Sequence, residues 1–177
     1  MILCNLYGPP GAGKSTTRAD VFRRLKTAGV NCEEVPEFAK RLTWEKRDLT
    51  LKCQPYVFGK QLRDIEILKG QVDVCITDSP ILLSYFYGDK YCDYPRAFYN
   101  GILAIHHTFN NMNYLIKRVK PYNPSGRYQN EQQSDEIAGE LENMLDINHI
   151  TYGNVNGDET AAILIFENIM RKLNDRT

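Results

Sequence analysis

The sequence predicts an α/β fold in three layers, with a five-stranded parallel sheet covered by helices on both faces. Two observations support this prediction. Short apolar segments that suit buried strands alternate with longer segments of helical spacing, which is typical of right-handed crossovers between parallel strands. In addition, 177 residues with 42% hydrophobic and 25% charged side chains suit one globular domain, which we expect to cover 1–177.

The first strand, loop and helix are the clearest unit of the chain. The segment MILCNLY is an almost continuous apolar run, as expected of a strand buried on both faces. After a glycine-rich loop, KSTTRADVFRRLKTAG places Ala19, Phe22 and Leu25 at helical spacing and ends at Gly29. The chain therefore opens with a strand, a loop and a helix.

Four further strands and five further helices complete the prediction. The strands are VNCEEVPE, VDVCITDSP, MNYLIKRV and INHITYG. The helices are expected at about 38–46, 54–69, 96–107, 134–145 and 159–173. Segment 89–101 mixes aromatic residues with turn formers and fits no element clearly.

Charge and cysteine content exclude several classes of protein. Lys plus Arg and Asp plus Glu number 22 each, so the chain lacks the broad positive field of a general nucleic-acid binder. The five cysteines are widely spaced and form no C-x-x-C pair, which favours reduced thiols over zinc or disulfides. No leader and no membrane-length apolar run is visible. We therefore expect a cytoplasmic protein without a membrane partner.

The segment GPPGAGKSTT carries the strongest functional signal. It satisfies the phosphate-binding motif G-x-x-x-x-G-K-[ST] between a predicted strand and a predicted helix. Lys14 should bridge the outer phosphates of a nucleotide, and the Ser15 hydroxyl should help to hold Mg²⁺. The residues expected to bind the nucleotide are Gly8, Gly11, Ala12, Gly13, Lys14, Ser15 and Thr16.

Two acidic residues at strand ends are candidates for the chemistry. Asp78 ends the third strand, where it can orient Mg²⁺ or accept a proton; its alternative role is to cap the next helix. Glu37 follows the second strand and faces the same crevice in a parallel sheet, unless it is a solvated residue at a helix start. Which of the two is the base stays open.

A basic segment follows the fourth strand. KRVKPYNPSGR contains no acid and is followed by an acidic helical segment, NEQQSDEIAGELENMLD. A basic loop here can fold over the transferring phosphoryl group as a lid at about 119–133, with Arg127 as the contact. The alternative is a solvated loop that pairs with the acidic helix.

The chain resembles the small P-loop kinases of nucleosides and nucleotides. The segments that carry this resemblance are the phosphate loop, TDSP, EFAKR and NPSGRYQNEQQSDE. Within these kinases, the chain is most similar to the ribosylnicotinamide-kinase-like and phage kinase-like branch with AAA-type ATP binding. The resemblance implies strand order 2-3-1-4-5, with ATP and Mg²⁺ as cofactors. It implies roles for Lys14, Ser15 and Asp78 in binding ATP and metal, for Glu37 at the acceptor and for Arg127 in the lid. Ser79 stands where nucleoside kinases often have an arginine.

The same resemblance locates the adenine and acceptor subsites. Adenine is expected beside Asn156 and its neighbours Asn154 and Val155. Arg41 could meet a 5′-phosphate if the acceptor is a monophosphate. The helix KCQPYVFGKQLRDIEIL should cover the acceptor with Gln61 and Arg63, and with Gln54, Tyr56 and Phe58 unless these pack in the core.

The predicted function is transfer of the γ-phosphate of ATP to a nucleoside, a nucleotide or a related small molecule. Two alternatives are a kinase acting on a DNA or RNA end or a modified base in DNA, and a regulatory ATPase or nucleotide switch. The sequence leaves open the identity of the acceptor, the choice between ATP and GTP, and whether the chain forms a homodimer.

Overall fold

A computed structural model of the chain describes residues 1–123 and 130–175. Its elements in chain order are β1 (Ile2–Tyr7), α1 (Lys14–Thr27), β2 (Cys32–Val35), α2 (Phe38–Trp44), α3 (Asp48–Lys52), α4 (Gln54–Glu66), β3 (Val74–Thr77), α5 (Leu82–Tyr91), α6 (Arg96–His107), β4 (Asn110–Lys117), α7 (Glu131–Ile147), β5 (Gly153–Asn156) and α8 (Glu159–Asn174).

The five strands form one parallel sheet in the order β2-β3-β1-β4-β5, as predicted. The central strand β1 is buried on both faces because successive side chains point to opposite sides. Ile2, Cys4 and Leu6 pack with residues of α1 and α8, whereas Leu3 and Tyr7 pack with residues of the helices between α4 and α7. Helices therefore cover both faces of the sheet and make the three layers.

Two helices were not predicted, namely α3 and α5. In α5, Leu82, Leu83, Tyr85, Phe86 and Gly88 are all buried, so the sequence lacks the polar stripe that marks an amphipathic helix. Within the part of the chain that is described, no helix is long and apolar enough to cross a membrane.

The fifth strand lies later than INHITYG, so the prediction at 147–153 was wrong. Ile147 is the last residue of α7, and His149 follows with a positive φ of 55°. The amide of Ile150 donates to the Leu145 carbonyl and that of His149 to the Asp146 carbonyl, which together make a Schellman motif. Ile150 is buried because it packs at this helix end. In the sequence, this apolar residue looked like part of a buried strand.

Candidate active site

The phosphate loop joins β1 to α1 at the carboxyl edge of the sheet. Gly8 has a φ of 146°, and a Cβ on it would lie 2.6 Å from the Ile116 carbonyl oxygen. Gly13 has a φ of 96° immediately before α1. The loop thus passes close to β4 and turns into the helix in a conformation that glycine permits, with the positive end of α1 at the loop.

Lys14, the first residue of α1, folds back over the loop. Its Nζ donates to the Gly8 carbonyl oxygen at 2.8 Å and to the Pro9 carbonyl oxygen at 3.1 Å. Neutral carbonyls are weaker partners than phosphate oxygens, so an arriving phosphate can draw the ammonium away from them. Ser15 and Thr16 are exposed at the start of the same helix.

Asp78 lies directly after β3 with only 2% of its surface exposed. Its Oδ1 accepts a hydrogen bond of 2.8 Å from Nη1 of Arg18, and Nε of Arg18 donates to Glu34 at 3.0 Å. The N-cap of α5 is Ile81, and no side chain caps that helix, so the alternative role of Asp78 as a cap is not observed. Instead, Asp78 belongs to a charged network that joins β2, β3 and α1.

Glu37 lies between β2 and α2 and is half-buried. Although it stands at the N-cap of α2, its side chain makes no capping hydrogen bond. Burial raises the pKa of its carboxyl above the ordinary value of 4.5; the positive charge of Lys14 lowers it, and the negative charge of Asp78 raises it. The structure therefore brings Glu37, the predicted acid after β2, into the electrostatic environment of Lys14 and Asp78.

Gln61 connects the two strand ends that carry these acids. Its Oε1 accepts from the Phe38 amide at 3.2 Å, and its Nε2 donates to Oγ1 of Thr77 at 3.2 Å. That oxygen also accepts from the Ser79 amide at 3.1 Å. Gln61, predicted to bind substrate, is 2% exposed. One end of its amide holds the backbone of Phe38 next to Glu37, and the other holds the hydroxyl of Thr77 next to Asp78.

Two of the remaining predicted residues, Arg41 and Arg63, lie outside this hydrogen-bonded network. Arg41 borders a groove of about 320 Å³ along the outer edge of β2. Arg63 is exposed beside Asp64. It follows the buried Gln61 by two residues, so the two side chains point about 200° apart around α4. Arg127 falls outside the described residues.

The expected adenine-binding segment is a strand. Asn154 and Asn156 are exposed on β5, whereas Val155 is buried in the core with α1 and α8. Gly157 follows and donates its amide to the Lys117 carbonyl at 2.8 Å. Asn156 therefore immediately precedes Gly157, which packs against Ala12 of the phosphate loop.

Sequence reasoning missed two residues that support the loop. Arg18 follows Lys14 by four residues on α1 and so shares its face; this spacing was the available signal. Gly157 packs so closely that a Cβ on it would lie 1.9 Å from the Ala12 carbonyl oxygen. No sequence pattern marked that contact, because the two residues are far apart in the chain.

The donors near the loop suit Mg²⁺. The Ser15 hydroxyl and the Asp78 carboxylate are oxygen ligands of the type that this ion prefers. Among the described residues, no three His, Cys, Asp or Glu side chains cluster as a metal site of their own. A metal here would take most of its ligands from phosphates and water, as is usual for Mg²⁺ with nucleotides.

Residues 3–161 match a family model described as an AAA domain. The chain belongs to this family. The matched region contains the phosphate loop, Glu37 and Asp78, and it ends early in α8. The matched region thus covers β2 to β5 and all of β1 except Ile2.

A deoxyadenosine kinase from M. mycoides, solved with bound dATP, has a similar fold. The TM-score is 0.60 at 18% sequence identity, and the match covers 98% of this chain and 100% of the kinase chain. No protein with a curated description matches the sequence. The AAA domain therefore has the P-loop kinase fold.

Proposed function

We propose that this protein is an ATP- and Mg²⁺-dependent kinase that transfers the γ-phosphoryl group to a nucleoside, a nucleotide or a related small molecule. The observation that supports this most is the position of Glu37. A half-buried carboxylate with a raised pKa shares one electrostatic environment with the phosphate-loop lysine and with Asp78. Such a group can accept the proton of an acceptor hydroxyl next to the phosphates.

Each residue of the site has a defined role in this reaction. The loop from Gly11 to Thr16 binds the phosphates, and Lys14 exchanges its carbonyl partners for phosphate oxygens. Ser15 and Asp78 would hold Mg²⁺, which neutralises phosphate charge when bound. Arg127 would close over the transferring group from the lid.

Glu37 is the better candidate for the base. Asp78 is 2% exposed, and one oxygen of its carboxylate, Oδ1, already accepts a hydrogen bond from Arg18. Glu37 is half-buried, and its backbone is held by the contact of Gln61 with Phe38. In the proposed step the acceptor oxygen bonds to the γ-phosphorus, the bond from that phosphorus to the β,γ-bridging oxygen breaks, and Glu37 takes the hydroxyl proton.

Aromatic residues near Glu37 favour an acceptor that contains a ring. Tyr87 is half-buried, and its pKa is raised by burial and by the charge of Glu37. Phe38 contacts Tyr56 edge-on with ring centroids 5.6 Å apart, and Tyr56 is partly exposed. These rings can stack on a base. The similar fold of a deoxyadenosine kinase supports the same class of acceptor.

The test is to incubate the protein with Mg²⁺ and γ-labelled ATP against a panel of acceptors. The panel contains nucleosides, nucleoside monophosphates, ribosylnicotinamide and a DNA oligonucleotide. Label on one small acceptor is the expected result. Label on DNA would favour a polynucleotide kinase, and label released only as free phosphate would contradict the proposal.

A further inference from the structure

Arg118 lies against the phosphate loop, and it has no part in the reaction proposed above. Arg118 directly follows β4, which pairs with β1 next to the loop. Its Cδ lies 3.7 Å from the position that a Cβ on Gly11 would take, and Tyr122 lies 3.2 Å from that position. The guanidinium carbon is 5.7 Å from the centre of the Tyr122 ring. Arg118 and Tyr122 therefore cover Gly11 from the β4 side.

The guanidinium is held by two acidic residues at the start of α7. Nη1 lies 2.7 Å from Oε1 of Glu131, and Nη2 lies 2.5 Å from Oδ1 of Asp135. Ser134, between them, donates from its hydroxyl to the Pro10 carbonyl oxygen at 2.7 Å. The first turn of α7 is thus anchored to the loop itself, and the acids keep Arg118 beside it.

The two ion pairs of Arg118 are weak enough for phosphate oxygens to replace the carboxylates. The side chains of Glu131 and Asp135 are 60% and 61% exposed, whereas that of Arg118 is 13% exposed. Solvent weakens pairs with such exposed partners. Within the described part of the chain, Nε of Arg118 is buried without a hydrogen-bond partner. Among the described residues, Nε of Arg118 is therefore an unused donor, and Nη1 and Nη2 form ion pairs that solvent weakens.

We propose that Arg118 is a nucleotide-binding residue that leaves Glu131 and Asp135 when ATP enters and donates to its outer phosphates beside Gly11. A guanidinium matches phosphate oxygens with two parallel hydrogen bonds, and a triphosphate carries more charge than either carboxylate. Tyr122 keeps the guanidinium at the loop through its ring face. This inference rests on the ATP binding that forms part of the proposed function.

Calorimetric titration with Mg²⁺ and a non-hydrolysable β,γ-imido analogue of ATP, and separately with ADP, tests this role. The proteins are the wild type, Arg118→Met, Lys14→Ala and the double variant Glu131→Gln/Asp135→Asn. We expect Arg118→Met to weaken binding of the ATP analogue about 10- to 100-fold, the value of a charge-assisted contact, and to affect ADP less. The double variant, which loses the same ion pairs but keeps the arginine, should bind the analogue at least as tightly as the wild type.

Thermal unfolding of the same proteins separates binding from anchoring. Arg118→Met and the double variant remove the same ion pairs, so their melting temperatures should fall by similar amounts. Equal losses of affinity in both would show that Arg118 only anchors α7 and would overturn the inference. Unchanged affinity in Arg118→Met, with binding abolished in Lys14→Ala, would refute the inference and leave the kinase proposal standing. A wild type that binds no nucleotide would refute both.

Discussion

Nη1 of Arg18 lies 2.8 Å from Oδ1 of Asp78, which ties the phosphate-loop helix to the end of β3. Removing one partner of a buried ion pair leaves an uncompensated charge. Arg18→Met should therefore lower the free energy of unfolding by about 3–5 kcal/mol. Urea unfolding at neutral pH measures the loss. The double variant Arg18→Met/Asp78→Asn should recover much of it, and a double variant no more stable than the single one would contradict this account.

Lys14→Ala should abolish phosphoryl transfer with little effect on folding. Its ammonium donates to the Gly8 and Pro9 carbonyls of the loop itself, whose course is set by the backbone geometry of its glycines. The measurement is transfer of label from ATP together with a circular dichroism melt. Full activity in Lys14→Ala would contradict the assignment of the loop.

Glu37→Gln should lower turnover and raise stability at neutral pH. We expect turnover to fall about 10²- to 10⁴-fold, the contribution of a general base. The folded pKa of Glu37 is raised above its unfolded value, so its stabilising contribution is present at low pH and is lost as pH rises through the folded pKa. The Glu37→Gln variant has no carboxyl to ionise, so it does not lose this stability as the pH rises.

Urea unfolding at several pH values checks the stability part of this prediction. The gain of Glu37→Gln over the wild type should appear above pH about 4.5 and grow as the pH rises. Glu33→Gln is the matched control, since Glu33 lies on β2, four residues before Glu37, with an exposed side chain paired to Lys26. A constant gain at all pH values would argue against the raised pKa.

Gly157→Ala should impair nucleotide binding because the new Cβ would lie 1.9 Å from the Ala12 carbonyl oxygen. Backbone that close must shift, and the shift would fall on the phosphate loop. Gly139→Ala on α7 is the control, since a Cβ there meets no atom within 4 Å. That control should be as stable as the wild type or more stable by about 0.5–1 kcal/mol. Equal nucleotide affinities in the two variants would refute the prediction.

His106 should make the protein sensitive to mild acid. Burial, followed by the charge of neighbouring His107, lowers the pKa of His106 from 6.5 to about 4. The folded state therefore favours the neutral ring, and stability should be lost as the pH falls from about 6.5 to about 4. His106→Leu should lose less stability than the wild type between pH 7 and pH 5. His149→Asn, which changes an exposed histidine, should keep the wild-type profile.

The sequence predicted the strand order through resemblance and the place of Lys14 through the phosphate-binding motif. It predicted the places of Glu37 and Asp78 from strand ends. This worked because parallel strands bring their carboxyl ends to one edge whatever the details of packing. It failed for α5, whose first half is buried on all sides and so lacks the periodic signal. It failed also for β5, where a histidine rather than a glycine ends the preceding helix.

Within the site, contacts between distant segments could not be predicted. Gln61 was expected to meet substrate, but the structure shows its amide holding Phe38 and Thr77. Arg118 was noted only as part of a basic segment, and its position over Gly11 follows from the pairing of β4 with β1. Such contacts depend on tertiary packing, which local sequence patterns do not encode.

The division of the apolar core by the sheet has a consequence for altering this protein. Residues of α1 and α8 pack on one face, and those of the helices from α4 to α7 pack on the other, so few side chains touch both. Substitutions on opposite faces should have nearly additive effects on stability. Helices α4 and α5, which border the acceptor site that we propose, can therefore be varied independently of stabilising changes made in α8.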